Sequence, residues 1–482
     1  MVDSTSNDGL NGVRDVAISP DGETLYVVGY LDNALGVYRR DVATGRFTFV
    51  EVKRDGLSGV DGLAAPMSVV VSPDGKHVYA AGSDDDAVAV FSRNTTTGAL
   101  TFVEAVKNLF GGVTGLDGPN DLAFSPGGEQ LYVAAMASNA VTVFTRNATT
   151  GRLAWLESKV DGFGGVDGLQ GASSLAVSPD GEHVYVGGTE NAMVAFDRNP
   201  ADGRLTYLAT TWGGTGGVVS LDDLFAIDIS PDGEHLYAIV NYSNALVVFD
   251  RNPATGALIH LETHYDDNAG VDGLAGAWAL DVSPDGHHVY VAGAYDNAVS
   301  VFDRNVTTGR LSFRTLKDLL SGVRSVTVSP DGLFVYAGEY TANALTGMYR
   351  VQGKPEPTAY QVTLGVGAVV EGLNFGNVSI SGEIRGTKWN DLDGDGQRDT
   401  GEPGLGNVRV YVDLDNDGQF DSIGEPSVLT ASDGSYSFTG LGPGTYTVAE
   451  IVPDGWTQTS PEPGQGGIER VSAKPGGSSS NG

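Results

Sequence analysis

Short apolar runs alternate with turn-forming residues along most of this chain, and the alternation is periodic. Residues 68–106 read "SVVVSPDGKHVYAAGSDDDAVAVFSRNTTTGALTFVEAV". Four apolar runs, "SVVV", "HVYAAG", "AVAVF" and "LTFVEAV", are parted by "SPDG", "SDDD" and "RNTTTG". The separators are Gly, Asp, Asn, Ser and Pro, the residues that tolerate and stabilise tight turns. The runs are too short and too rich in Val and aromatics for helices, and no window has helical periodicity, so they predict strands. "SPDG" or a near copy begins at Ser19, Ser72, Ser125 (as "SPGG"), Ser178, Ser230, Ser283 and Ser329, at spacings of 53, 53, 53, 52, 53 and 46. Four antiparallel strands per unit, seven times over, predict an all-β fold: a seven-bladed β-propeller over residues 1–356.

The turns repeat as faithfully as the strands. Asn or Asp precedes Ala at Asn33, Asp86, Asn139, Asn191, Asn244, Asn297 and Asn343, and "RN" with a later Gly recurs at Arg93, Arg146, Arg198, Arg251 and Arg304. Sequons at Asn94, Asn147 and Asn305 fall in this second turn, where turn formation explains the asparagine without glycosylation. Blade seven lacks the "RN" turn and an obvious outer strand, which "YQVTLGV" (360–366) would supply. Strand order puts "SPDG" and "RNxxTG" on one face. The turn after strand two and the long "GVDGL"-type links (Gly59, Gly112, Gly165, Gly217, Gly270) lie on the other, with Val and Leu packing down. His77, His183, His235 and His288 share one register position after "SPDG" and read as exposed residues of a peripheral hairpin, too far apart for one metal site.

Positions that break the repeat carry more information. Just before the inner strands stand Arg14-Asp15, Met67-Ser68, Asn120-Asp121, Ser173-Ser174, Phe225-Ala226, Trp278-Ala279 and Arg324-Ser325; the neighbours within those strands read as apolar or small. Arg14, Asp121, Trp278 and Arg324 are therefore candidates for a ligand pocket at the channel mouth, against the competing reading that such mouths vary without binding anything.

Composition narrows the classes. With 61 acidic and 28 basic side chains the net charge is −33, which repels nucleic acid and anionic membranes and attracts cations. There is no cysteine, so thiolate chemistry and disulfides are excluded. No apolar run is long enough to insert in a membrane, and the N-terminus "MVDSTSNDGL" has no signal-peptide pattern.

After "KPEP" (354–357) the repeat stops. Residues 357–378 read as junction strands or linker, 379–461 as the short strands of a small immunoglobulin-like β-sandwich, and 462–482 as a flexible tail. In "NDLDGDGQRDTGEPG" the residues Asp391, Asp393, Asp395, Gln397, Asp399 and Glu402 stand at positions 1, 3, 5, 7, 9 and 12, with Gly396 at 6. That is the oxygen-ligand spacing of an EF-hand calcium loop. A second loop offers Asp413, Asp415, Asp417, Gln419 and Asp421, with Glu425 one position late. Two Ca²⁺ ions are thus expected, on β rather than helical flanks.

The repeat resembles the lactonase-type propellers, a group that includes 6-phosphogluconolactonases and surface-layer "YVTN" repeats. The likeness rests on "VSPDGKHVYAAG" and "VAVFSRNTTTGALTFVE". Family enzymes carry "GPRH" before an inner strand; here Gly118–Asp121 read "GPND". The C-terminal segment looks like the calcium-binding B-type domain of serine-aspartate (Sdr) repeat surface proteins, on "GTKWNDLDGDGQRDTGEPGLGNVRVYVDLDNDGQFD" and "SDGSYSFTGLGPGTYTVAEIVPDGWTQTSP". This resemblance implies a secreted or cell-surface bacterial protein in which calcium stiffens a spacer. Two function classes follow. One is a non-enzymatic interaction or assembly module whose partner is a surface protein, a glycan or copies of itself. The other is a secreted lactonase-like hydrolase with its site at the channel mouth. The missing Arg-His pair favours the first.

Overall fold

A strand with apolar residues on both faces is stable only when both faces are covered. The second strand of every repeat has that character: Thr24–Gly29 ("TLYVVG") and its six counterparts are buried along their whole length. Adjacent sheets must therefore pack face to face, and repeating that packing closes a ring. The computed structural model describes residues 8–350, apart from 216, 219 and 319, and residues 382–480, apart from 414–418, 421–424, 442–443, 454, 460–468 and 474–477. The chain divides into two units, Met1–Pro355 and Glu356–Gly482.

The first unit is a seven-bladed propeller. Six blades are four-stranded meanders, as in Val13–Ile18, Thr24–Gly29, Ala34–Arg40 and Phe47–Arg54; the seventh shows three strands, Val323–Val328, Phe334–Glu339 and Ala344–Tyr349. The segment 360–366, read above as its outer strand, lies outside the described residues, as does the whole 357–378 junction. The cores sit between blades. Tyr26, Val28 and Leu35 of blade one pack with Val69, Val78 and Phe91 of blade two. The ring closes where Leu25, Val27 and Tyr38 meet Phe334, Tyr336 and Leu345.

Each junction is locked by a buried arginine from the end of a third strand. Its Nε donates to a tyrosine hydroxyl of the preceding blade: Arg40 to Tyr336, Arg93 to Tyr26, Arg146 to Tyr79, Arg198 to Tyr132, Arg251 to Tyr185, Arg304 to Tyr237 and Arg350 to Tyr290. Nη1 donates to the glycine carbonyl of its own "SPDG" turn, as Arg251 does to Gly233 at 2.6 Å. Nη2 pairs with the Asp of the preceding blade's turn at six junctions: Asp331, Asp21, Asp74, Asp180, Asp232 and Asp285. At every junction but that of Arg40, Nη2 also reaches the register position after that turn.

This corrects the reading of the histidines. His77, His183, His235 and His288 are buried, and the Nδ1 of each accepts from the arginine at 2.7–2.9 Å. Their rings are neutral there: burial, then the arginine's charge, lowers all four pKa values. Thr24 and Gln130 serve in their place in two other blades. The "TG" glycines are demanded by the same packing, since a Cβ on Gly151 (φ +76°) would lie 2.3 Å from His77.

The Asn/Asp residues before Ala all adopt φ of 48–58°. Each also accepts a backbone N–H from the next blade's link, as Asn139 does from Gly171 at 2.8 Å and Asn343 from Gly12 at 2.8 Å. The link residues Val60, Leu63, Val166 and Leu169 are buried, as the links' apolar positions require.

The second unit has two sheets. Gly382–Thr387 lies between Ser435–Leu441 and Ser478–Ser480; the other sheet orders Ser427–Leu429, Arg409–Asp413, Gly444–Glu450 and Glu469–Ala473. Ile384, Val410, Val412, Phe438 and Val448 form its core. Residues 469–473 and 478–480, placed in a flexible tail by composition, pair as strands instead.

Replacing Arg251 by Met strands Asp180, Tyr185 and His183 without their donor. Denaturant unfolding should show a loss of about 3–5 kcal/mol. Arg198→Met should cost less, about 1–3 kcal/mol, because Gln130 and not a carboxylate is left behind. Equal losses at the two junctions would contradict this account of the clamp.

Candidate functional site

The mouth of the propeller is shaped by β-bulges. In six inner strands the register slips by one residue at the mouth, between Val13 and Asp15, Pro66 and Ser68, Leu224 and Ala226, Ala277 and Ala279, and Val323 and Ser325, and opposite Ala134/Ala135 in blade three. A bulge re-aims the extra residue out of the ladder. The extra residues are Arg14, Met67, Asn120, Phe225, Trp278 and Arg324, and all six line one cavity of about 250 Å³. The four candidates, Arg14, Asp121, Trp278 and Arg324, are thus brought together there.

Both guanidinium groups lie over the Trp278 ring, Arg14 at 4.3 Å and Arg324 at 4.4 Å from its centroid. Phe225 meets Trp278 edge-on at 4.3 Å. Arg324 also lies 3.6 Å over Tyr340, and Arg14 5.5 Å over Tyr30. Neither arginine has a carboxylate partner among the described residues. Arg14 Nε and Nη1 and Trp278 Nε1 are buried donors with no acceptor among the described residues. Burial, then the like charge of Arg324, pulls Arg14 down to about 10, so it stays cationic at neutral pH. Desolvation likewise lowers Arg324. Two cations held side by side with idle donors form a site that prefers an anion.

The carboxylates below the mouth do different work. Asp121 Oδ1 accepts the Leu122 N–H at 2.8 Å, and Oδ2 accepts the Leu175 N–H of the next blade at 2.9 Å. Asp15 bonds Val69 in the same way at 2.9 Å. Deeper along the inner strands, Asp228 accepts from Val282 at 2.9 Å and Asp281 from Val328 at 2.6 Å. Ser68 to Asp121, Ile227 N–H to Ser174, and Val16 N–H to Ser325 complete an inter-blade bridge at every junction. Asp228 and Asp281 depart from the expectation that only apolar or small residues fill these strands; alternation alone could not reveal that the inner-strand N–H groups need acceptors. Burial raises all four carboxyls: Asp15 upward, Asp121 and Asp228 to about 6, and Asp281 well up, with the charge of Asp228 adding to it.

In the second unit the Asp391–Glu402 loop is closed by the Trp389–Gly404 bridge. Asp391 accepts the Gly394 and Gly396 N–H groups at 2.7 and 2.9 Å, and Glu402 those of Leu392 and Asp399 at 2.7 and 3.0 Å. A hydrogen bond from Thr459, then those of Gly396 and Gly394, holds Asp391 down to about 2. Carboxylate oxygens of Asp391, Asp393 and Glu402 converge within 4.8 Å of one another. Asp395 turns to the Gln397 N–H at 2.7 Å and, like Asp399, stands outside that cluster. Of the second loop, Asp413 ends a strand and is buried, and Gln419 and Glu425 are described; Asp415, Asp417 and Asp421 lie outside the described residues.

Comparison with known proteins places the two units. The family described as "Lactonase, 7-bladed beta-propeller" matches residues 2–167 and 226–371, more than half the chain, and the chain belongs to it. The "SdrD B-like domain" matches residues 382–474. A 6-phosphogluconolactonase of Bacillus subtilis is 29% identical over 149 residues, 31% of this chain and 41% of that protein. One from Enterobacter sp. is 22% identical over 339 residues, 69% of this chain and 92% of that protein. Serine-aspartate repeat-containing protein F of Staphylococcus epidermidis is 40% identical over 76 residues, 16% of this chain and 4% of that protein. The chain thus spans about two fifths of the first of these relatives, 41%. Among solved structures, a putative 6-phosphogluconolactonase from Bacteroides uniformis (TM-score 0.54, 20% identity, 66% of this chain, 88% of that one) shares the fold. So does the periplasmic gluconolactonase of Pseudomonas aeruginosa (TM-score 0.54, 21% identity, 67% and 88%).

Raised carboxyls make a signed prediction. A folded pKa near 6 against about 3.8 unfolded means that the contribution of Asp228 to stability is complete below pH 4 and is lost as pH rises through 6. Unfolding at pH 4 and pH 7 should show wild type gaining about 1–3 kcal/mol over Asp228→Asn on going to the lower pH. A gain toward the higher pH would contradict burial as the cause.

Proposed function

We propose that the propeller is a binding module whose channel mouth takes a small anionic ligand of sugar-acid type, carried by a calcium-binding β-domain on a secreted or cell-surface bacterial protein. The observation that carries this reading is the Arg14–Trp278–Arg324 cluster, with two unpaired cations and three idle buried donors. A carboxylate or phosphate would engage the donors, and Trp278 and Phe225 offer apolar faces to a sugar ring. Hydrolysis is disfavoured by the chemistry of the lining. It holds no histidine, and the oxygens of its two carboxylates, Asp15 and Asp121, each already accept a backbone N–H. "GPND" in place of the family's "GPRH" agrees with this. The lactonase reading stands second. It is favoured by the relatives named 6-phosphogluconolactonase and by the near-neutral pKa of Asp121, which suits an acid–base group. A cell-surface site is supported by the SdrD B-like domain, and the net charge of −33 speaks against nucleic-acid partners. No helix among the described residues is long and apolar enough to cross a membrane.

Calcium fits the residues present. Asp391, Asp393 and Glu402 form a convergent cluster of hard oxygen donors, with Asp395, Asp399 and the Gln397 carbonyl near in sequence. Bound there, Ca²⁺ would neutralise the mutual repulsion of the loop and stiffen it.

Two measurements test these proposals. Titration with gluconate, 6-phosphogluconate and glucose should show saturable binding of the acids alone, weakened at least tenfold by Arg14→Ala or Arg324→Ala, with no δ-lactone hydrolysis above background. Hydrolysis abolished by Asp121→Asn would establish the second reading instead. For calcium, calorimetry should show the second unit melting higher with the ion, by about 2.7 kcal/mol at a hundredfold excess over Kd. Asp391→Ala should abolish that shift, and a shift confined to the propeller would refute the assignment.

A further inference from the structure

The mouth cavity holds charges of both signs that do not pair. Asp15 and Asp121 line it together with Arg14 and Arg324, yet no ion pair joins them among the described residues. Each oxygen of the two carboxylates accepts a backbone N–H instead. Serine hydroxyls complete the shell. Ser325 donates to Asp15 at 3.2 Å, and Ser68 and Ser174 donate to Asp121 at 3.3 and 3.4 Å.

That shell tolerates either protonation state of Asp121. A hydroxyl accepts as well as it donates. Once protonated, the carboxyl can turn its O–H to Ser68 or Ser174 and keep both backbone N–H partners, so no buried group is orphaned. Burial, with the charge of Asp15 adding to it against the Leu175 hydrogen bond, raises Asp121 to about 6.

The elements packed against its strand, Pro119–Phe124, bring few other titratable groups. The inner strands of blades two and four, Pro66–Val71 and Ser174–Val177, have none. The second strands His77–Gly82 and Gln130–Ala135 have His77, Tyr79 and Tyr132, all turned to the junction arginines Arg146 and Arg198. Across the channel stand Asp15, Arg14 and Arg324; Asp228 and Asp281 lie deeper, outside the cavity lining. An anion placed on the arginines adds a negative charge to the same space of about 250 Å³. Like charges so close and poorly screened disfavour each other. Ionised Asp121 therefore opposes the ligand, and protonated Asp121 does not.

We propose, building on the anion-binding reading of this mouth, that ligand capture is proton-coupled: as the anion settles on Arg14 and Arg324, Asp121 takes up a proton from solvent. An O–H bond forms on the carboxylate, no bond of the ligand changes, and the net charge of the cavity stays as it was. Linkage makes the effect mutual, since the anion favours the proton and the proton favours the anion by the same factor. The mouth fills in an acidified medium and releases its ligand as pH rises through 6.

Titration of the full chain with gluconate at pH 5, 6.5 and 8 tests this. The gluconate carboxylate stays ionised throughout that range, and Arg14, at about 10, stays cationic. Kd should rise roughly tenfold from pH 5 to pH 8, the change that one pKa unit of coupling gives. Calorimetry at pH 6.5 in two buffers of different ionisation enthalpy should show net proton uptake on binding. Asp121→Asn should bind with an affinity that no longer follows pH. Asp15→Asn, which removes the neighbouring charge, should move the pH midpoint down. Equal affinity at pH 5 and pH 8 without proton uptake overturns proton coupling and leaves the anion reading standing. So does a pH dependence that survives in Asp121→Asn. Absence of gluconate binding at every pH removes the anion reading and this proposal with it.

Discussion

A buried arginine at each blade junction is the constraint on which the rest of this propeller depends. Guanidinium cannot shed its charge, so burying it forces the neighbourhood to supply acceptors. The tyrosine, the turn aspartate, the turn glycine carbonyl and, in four blades, a neutral histidine are those acceptors, and three of the four belong to the preceding blade. The most repeated polar residues of the sequence are thus one joint, copied around the ring. The junction that joins blade seven to blade one uses the same parts, Arg40 with Tyr336 and Asp331, so the ring is closed by side chains there without an exchanged strand among the described residues.

Rigid joints at the rim allow irregularity at the axis. The bulges at the mouth cost ladder hydrogen bonds, and the channel-facing Asp and Ser side chains restore partners by bridging from blade to blade. With the inner strands so tied, the bulge residues are free to differ between blades. Arg14, Trp278 and Arg324 exploit that freedom. Both charges lie against one indole with no carboxylate partner among the described residues, an arrangement that a folding chain avoids unless something else supplies the negative charge.

The fold was legible because its signal is repeated. The "SPDG" turn, the Asn/Asp-Ala turn and the three strands around them each recur seven times, and each agreed with the others. The mouth residues were legible for the opposite reason, as the places where the repeat is broken. Two things were not. The histidines looked like surface turn residues, because a position that follows "SPDG" in sequence gives no hint that the next blade's arginine and a glycine turn close over it. Asp228 and Asp281 were passed over for a related reason. Their partners are backbone N–H groups on a neighbouring strand some fifty residues on, and no local pattern records an orphaned donor. In the Asp391–Glu402 loop, spacing grouped six residues, of which Asp391, Asp393 and Glu402 converge; the turning of Asp395 toward the Gln397 N–H is a local detail that spacing does not encode.

The charged groups of the channel divide by role: the carboxylates join blades, and the arginines are the groups we propose for the ligand. A crystal structure of the chain with 6-phosphogluconate decides that division most directly. The account predicts the ligand's anionic group on Arg14 and Arg324, its carbon chain against Trp278, and the Asp121–Leu175 and Asp15–Val69 bonds intact. A ligand carbonyl seated on Asp121, with the Leu175 bond broken, would contradict it and make that carboxylate a reacting group.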